Sequence, residues 1–169
     1  NDTSNLEAVL DQIFMAAFAV CGQRCTAVSR VIVRRELEKK VINGLANRAN
    51  AARVGDGMDS SSTIGPLSSK KARDDVSGFV DRARAAGVNI VAGGKVLEQN
   101  GGYFYAPTIL SDVTPDMEVA RDEVFGPVLA VIPYDTADEA LAIWNDVEFG
   151  LSACLYSEQT PLVDRFDAE

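Results

Sequence analysis

The sequence predicts an α/β layered domain, a largely parallel sheet flanked by helices. Long stretches carry apolar residues at spacings of three and four, and short, nearly continuous apolar runs stand between them. The two kinds of segment alternate along the chain, the order expected when strands buried on both faces are covered by helices. With 169 residues, 47% hydrophobic and 24% charged, the chain has the material for one domain with a sizeable core.

Leu6, Val9, Leu10, Ile13, Phe14, Ala17 and Phe18 form a helical stripe over residues 6–18, with Ser4 and Glu7 spaced as a capping box and Gly22 as the expected stop. That leaves Gln23, Arg24 and Cys25 on a turn. Val31-Ile32-Val33 reads as a short buried strand, and residues 36–52 as a helix with Leu37, Val41, Leu45 and Ala49 on one side. Residues 55–66, rich in Gly and Ser, form a loop. A third helix fits 69–86 and ends at Gly87, followed by a strand at Val88–Ala92 closed by Gly93-Gly94. Residues 95–127 read as irregular, punctuated by Gly and Pro. Val128–Ile132 is the strongest strand in the chain. Thr136 with Glu139 opens a helix expected to run to Gly150, Leu151–Tyr156 reads as another strand, and a last helix begins near Pro161.

Composition excludes several classes. Sixteen Lys and Arg against 25 Asp and Glu give a net charge of −9, with no basic stripe interleaved with aromatics, so no nucleic-acid partner is expected. No apolar run is long enough to span a bilayer, and residues 1–4 do not read as a signal peptide, which points to a cytoplasmic protein without a membrane partner. The sequence contains no histidine, which removes His-based triads, Cys-His dyads and His-ligated metals from this chain. Its three cysteines have no CxxC spacing, so neither a disulfide scaffold nor a metal site is expected.

Cys25, flanked by Gln23, Arg24 and Thr26, fits two readings when taken alone: a small apolar residue in the core, or a presented nucleophile. Its neighbours decide. The stretch Phe18-Ala19-Val20-Cys21-Gly22-Gln23-Arg24-Cys25-Thr26-Ala27-Val28-Ser29-Arg30 resembles the active-site cysteine signature of the aldehyde dehydrogenase superfamily, and Glu123-Val124-Phe125-Gly126-Pro127-Val128 is similar to its Glu-x-Phe-Gly-Pro motif. Ile64-Gly65-Pro66-Leu67, Gly102-Tyr103-Phe104 with Ala106-Pro107-Thr108, and Phe149-Gly150-Leu151-Ser152-Ala153 agree in family order.

The resemblance implies that residues 1–169 are an incomplete catalytic domain, without the dinucleotide-binding units or the C-terminal end, and that this piece alone is inactive. It implies oxidation of a small-molecule aldehyde to the acid with dissociable NAD or NADP. Cys25 would attack to form a thiohemiacetal and then a thioester, with Glu123 and Phe125 at the nicotinamide end of the cofactor. Arg24 and Thr26 would line the substrate's approach. Gln-Arg-Cys-Thr looks like branches acting on semialdehydes that carry a carboxylate, which Arg24 would pair with unless it holds neighbouring backbone instead. The family's general base, a Glu in a Glu-Leu-Gly-Gly segment, is not in this sequence. Gln23 is expected to brace the turn and Arg30 to be structural. Cys21 and Cys154 are expected to be core thiols, with an accessible Cys21 that reacts with Cys25 on oxidation as the other reading for it. A homodimer or homotetramer is expected in the whole protein. An acylating aldehyde dehydrogenase and a non-catalytic module of the same fold are the alternatives.

Overall fold

The computed structural model describes residues 5–99 and 101–168. Its centre is a four-stranded sheet of β1 (Arg30–Arg34), β6 (Val128–Tyr134), β5 (Thr108–Ser111) and β2 (Asn89–Ala92), in that spatial order. β1, β6 and β5 run parallel, while β2 joins the edge antiparallel to β5, with an irregularity in register between Ile90 and Ala92. β3 (Val96–Leu97) and β4 (Phe104–Tyr105) form a separate antiparallel pair. The predicted fold class stands.

The helical stripes behave as their spacing requires. α1 (Leu6–Phe18) buries Leu10, Ile13, Ala17 and Phe18, and α2 (Arg35–Ala51) buries Val41, Leu45, Ala46 and Ala49. Each fully buried large aliphatic chain contributes about 1.5–3 kcal/mol relative to leaving it in water. α2 lies against all four strands of the central sheet, and α1 packs on α2. Arg48 of α2 ties the pair together, donating to the carboxylates of Glu7 at 2.9 Å and Asp11 at 2.7 Å. Ser4, the expected cap of α1, lies outside the described residues.

α3 (Lys70–Ala85) is capped by Ser69, whose hydroxyl accepts from the Ala72 N–H at 3.1 Å. At the start of α5 (Ala137–Asn145), Thr136 Oγ1 accepts from the Glu139 N–H as a cap, and the Glu139 carboxylate reaches back to accept from the N–H of Asp135, one residue before the cap. The short α4 (Glu118–Arg121) and the final α6 (Thr160–Ala168) complete the chain. Among the described residues, no helix is long and apolar enough to cross a membrane.

Four expectations are corrected. Residues 95–127 are not irregular throughout, because β5 occupies the middle of the sheet with all four residues buried. Its polar ends hid it: Thr108 is fully buried, and its hydroxyl donates to Ala106 O and accepts from the Gly94 N–H. The helix after Thr136 stops at Asn145 rather than Gly150, where Arg30 reaches across to donate to the terminal carbonyls of Ile143 and Trp144. Leu151–Tyr156 is not a strand. The segment pairs with no neighbour among the described residues, Leu151 is 68% exposed, and the Cys154 thiol that was expected in the core is exposed with it.

Candidate active site

α1 ends at Phe18, four residues before the predicted stop, and the chain leaves it through a 3-10 turn in which Val20, Cys21 and Gly22 adopt left-handed backbone (φ 55°, 57° and 68°). Left-handed backbone costs a non-glycine residue roughly 1–2 kcal/mol, and β-branched Val20 is an unusual occupant. Two contacts hold the turn. The Cys21 side chain is fully buried, and Gly22 faces Gly126, where an added Cβ would stand 2.2 Å from the carbonyl oxygen.

This reversal presents Arg24, Cys25 and Thr26 at the surface. The turn closes with the Ala27 N–H donating to Arg24 O at 2.9 Å, and Ser152 Oγ contacts Thr26 O at 3.5 Å. The Arg24 guanidinium makes no hydrogen bond or ion pair among the described residues. Burial pushes the Cys21 thiol from the ordinary value of 9.0 up to about 12, so it remains protonated near neutral pH and is a core thiol rather than an accessible partner for Cys25.

The loop before β6 lies on the other side of the Gly22 contact. Glu123 and Phe125 are exposed, whereas Gly126 and Pro127 are buried. Phe125 holds a left-handed backbone (φ 49°), strain that turns its ring outward instead of into the core. Glu123, Val124 and Phe125 line an open depression together with Lys71, Phe79 and Arg82 of α3. The Glu123 carboxylate has no partner among the described residues, so its acceptor oxygens are available to hydroxyl groups. No group of three or more His, Cys, Asp or Glu among the described residues could hold a metal ion.

The two segments that the sequence singled out therefore meet through Gly22 and Gly126. The α3 face of the depression was not anticipated, because nothing local in Lys71 or Arg82 distinguishes them from a solvated helix face, and Phe79 reads as part of the helix's apolar stripe. Gln23 does brace the turn. Its Nε2 donates to Val20 O and Pro66 O, each at 3.3 Å, and its Oε1 accepts from the Ser68 N–H at 2.8 Å.

Comparison with known proteins agrees along the whole length. Residues 1–169 match the Aldehyde dehydrogenase family. The chain is 36% identical to an alpha-ketoglutaric semialdehyde dehydrogenase of Bacillus subtilis, with 99% of the chain and 36% of the relative covered. It is also 36% identical to a betaine aldehyde dehydrogenase of Brucella anthropi, covering 92% of the chain and 33% of the relative. Among solved structures it is similar to the NAD+ complex of an aldehyde dehydrogenase from Bacillus cereus, with TM-score 0.93 and 32% identity, covering 97% of the chain and 33% of that protein. The chain thus spans about a third of the length of the curated relatives it matches.

Proposed function

Because the chain belongs to the aldehyde dehydrogenase family, we propose that it is the incomplete catalytic domain of an enzyme oxidising an aldehyde to a carboxylic acid, with Cys25 as nucleophile. The observation that carries this reading is the Gly22–Gly126 contact, which joins the exposed thiol turn to the loop of Glu123 and Phe125.

The Cys25 thiolate attacks the carbonyl carbon, forming a C–S bond and a thiohemiacetal oxyanion. Backbone N–H groups of the turn would donate toward the developing charge. Bound NAD(P)+ supplies the hydride acceptor. The exposed ring of Phe125 would offer a face for the nicotinamide, and the Glu123 carboxylate, unpartnered among the described residues, would accept hydrogen bonds from ribose hydroxyls. Loss of hydride from the thiohemiacetal carbon leaves a thioester on Cys25, and water displaces the sulfur to release the acid.

For substrate class, the two relatives described above, a semialdehyde and a betaine aldehyde dehydrogenase, are equally identical to this chain, so the choice rests on its own residues. Arg24 is a cation without a partner among the described residues, immediately before Cys25, which favours an aldehyde carrying a carboxylate.

The test is NAD(P)H production by the intact protein with 2-oxoglutarate semialdehyde, succinate semialdehyde and butanal, beside its Cys25→Ser variant. Expected are a preference for the carboxylated substrates and no turnover by the variant. Undiminished activity of Cys25→Ser would remove the mechanism, and equal specificity constants would remove the substrate class. Residues 1–169 alone are expected to be inactive.

A further inference from the structure

We infer that Gln23 is a positioning residue that sets where the Cys25 sulfur stands, by clamping the thiol turn to the segment that opens α3. This rests on the proposed role of Cys25 as nucleophile.

Upstream of the exposed residues Arg24–Thr26, buried Cys21 and Gly22 anchor the left-handed turn, and Gln23 is the side chain next to Arg24 that ties it to another segment. Downstream, the next tie to the helix is the Val28 N–H donating to Ala16 O at 3.2 Å, and the Ser152 contact with Thr26 is long, at 3.5 Å. The Gln23 amide spans both parts of the junction. It donates to Val20 O within the left-handed turn and to Pro66 O across from it, and it accepts from the Ser68 N–H.

The segment it grips is itself fixed. Leu67 is buried, its N–H donates to Tyr103 O at 2.9 Å, and Ser69 caps α3. α3 also supports the facing loop, since an added Cβ at Gly126 would stand 2.4 Å from Cγ2 of Val76. Cys25 and Phe125 are therefore both positioned relative to one helix, the first through the Gln23 amide and the second through Val76 and Gly126.

The chemistry of the clamp requires an amide. It uses two donors toward carbonyl oxygens and one acceptor toward an N–H, a combination that Gln supplies and neither Glu nor Met does. In Gln23→Glu, the ionised carboxylate would keep the Ser68 bond and turn negative charge toward two carbonyl oxygens. In Gln23→Met, the thioether would fill the same space without any of the three bonds. Since displacing a reacting atom by about 1 Å costs on the order of 100-fold in rate, a freed turn should be read first in turnover rather than in ligand affinity.

The experiment uses the intact protein, its Gln23→Met and Gln23→Glu variants, and Cys25→Ser. Iodoacetamide labelling is quantified by mass spectrometry at each cysteine, with exposed Cys154 as the reference within each sample and buried Cys21 reporting any unfolding. Steady-state kinetics with aldehyde and dinucleotide accompany it. Expected for Q23M are a fall in kcat on the order of tenfold or more, KM for the dinucleotide within about twofold, a reduced Cys25:Cys154 labelling ratio and a protected Cys21. Q23E should lie between wild type and Q23M in both kcat and labelling ratio. If Q23M labels at Cys21, Q23E, which retains the Ser68 bond, carries the comparison. Wild-type kcat and labelling ratio in the folded variants would overturn the inference, as would a dinucleotide KM raised in proportion to any loss of kcat/KM. Activity surviving in Cys25→Ser would instead reject the nucleophile assignment, a separate failure.

Discussion

A Cβ added to Gly22 would lie 2.2 Å from the carbonyl oxygen of Gly126, so the thiol turn and the loop of Glu123 and Phe125 meet backbone against backbone. Gly22 is also left-handed, at φ 68°. Gly22→Ala should therefore lose the roughly 1–2 kcal/mol of backbone strain and a further increment for separating the two segments. Urea unfolding should show the lower stability, and activity of the intact protein should fall with it. A variant as stable as wild type would mean that the close approach is not enforced.

Phe125 offers the opposite test. Its left-handed backbone (φ 49°) is strained, and its ring is 47% exposed, so it contributes little to the core. Phe125→Gly should leave stability within about 1 kcal/mol of wild type. The KM for dinucleotide should nevertheless rise. Unchanged cofactor kinetics would show that the ring does not face the nicotinamide.

The cysteines should separate by exposure. In the native protein, iodoacetamide at neutral pH should label exposed Cys25 and Cys154, and should reach Cys21 only after unfolding. Labelling of Cys21 at a rate near that of Cys154 would contradict its burial.

Burial also predicts an alkaline weakness. The folded Cys21 thiol is raised from 9.0 to about 12, so the unfolded chain releases this proton first as pH rises. Its contribution to stability is complete below pH 9.0 and is lost progressively up to about 12, at about 1.4 kcal/mol per pH unit. Tyr105, raised by burial from 10.0 to about 12, acts in the same direction over the upper part of that window. Cys21→Ala should flatten the decline of unfolding free energy between pH 9 and 12 relative to wild type. An identical slope in the two proteins would exclude the thiol as a cause.

Arg24→Gln should lower kcat/KM for 2-oxoglutarate semialdehyde by about tenfold, the scale of one charge-assisted hydrogen bond, and leave butanal nearly unaffected. An equal loss for both aldehydes would assign Arg24 to holding the turn.

The fold class, α1, α2, α3, β1 and β6 were legible in the sequence because each writes its own burial into apolar spacing. The candidate site residues were legible through the two short motifs around Cys25 and Glu123. Other features had no local signature. β5 is a strand because β6 and β2 lie on either side of it, and its Thr108 and Ser111 gave no apolar pattern to read. Leu151–Tyr156 has the pattern of a strand, but among the described residues it has no neighbour to pair with.

From the sequence alone came the elements with strong periodicity, the absence of histidine and the two motifs that resemble a family. Tertiary structure decided which thiols are exposed, where α1 yields to left-handed backbone, and that Gly22 rests on Gly126. The physical reason is that periodicity records how one segment meets the core, whereas contact between distant turns depends on strand order and on the space that two missing side chains leave open.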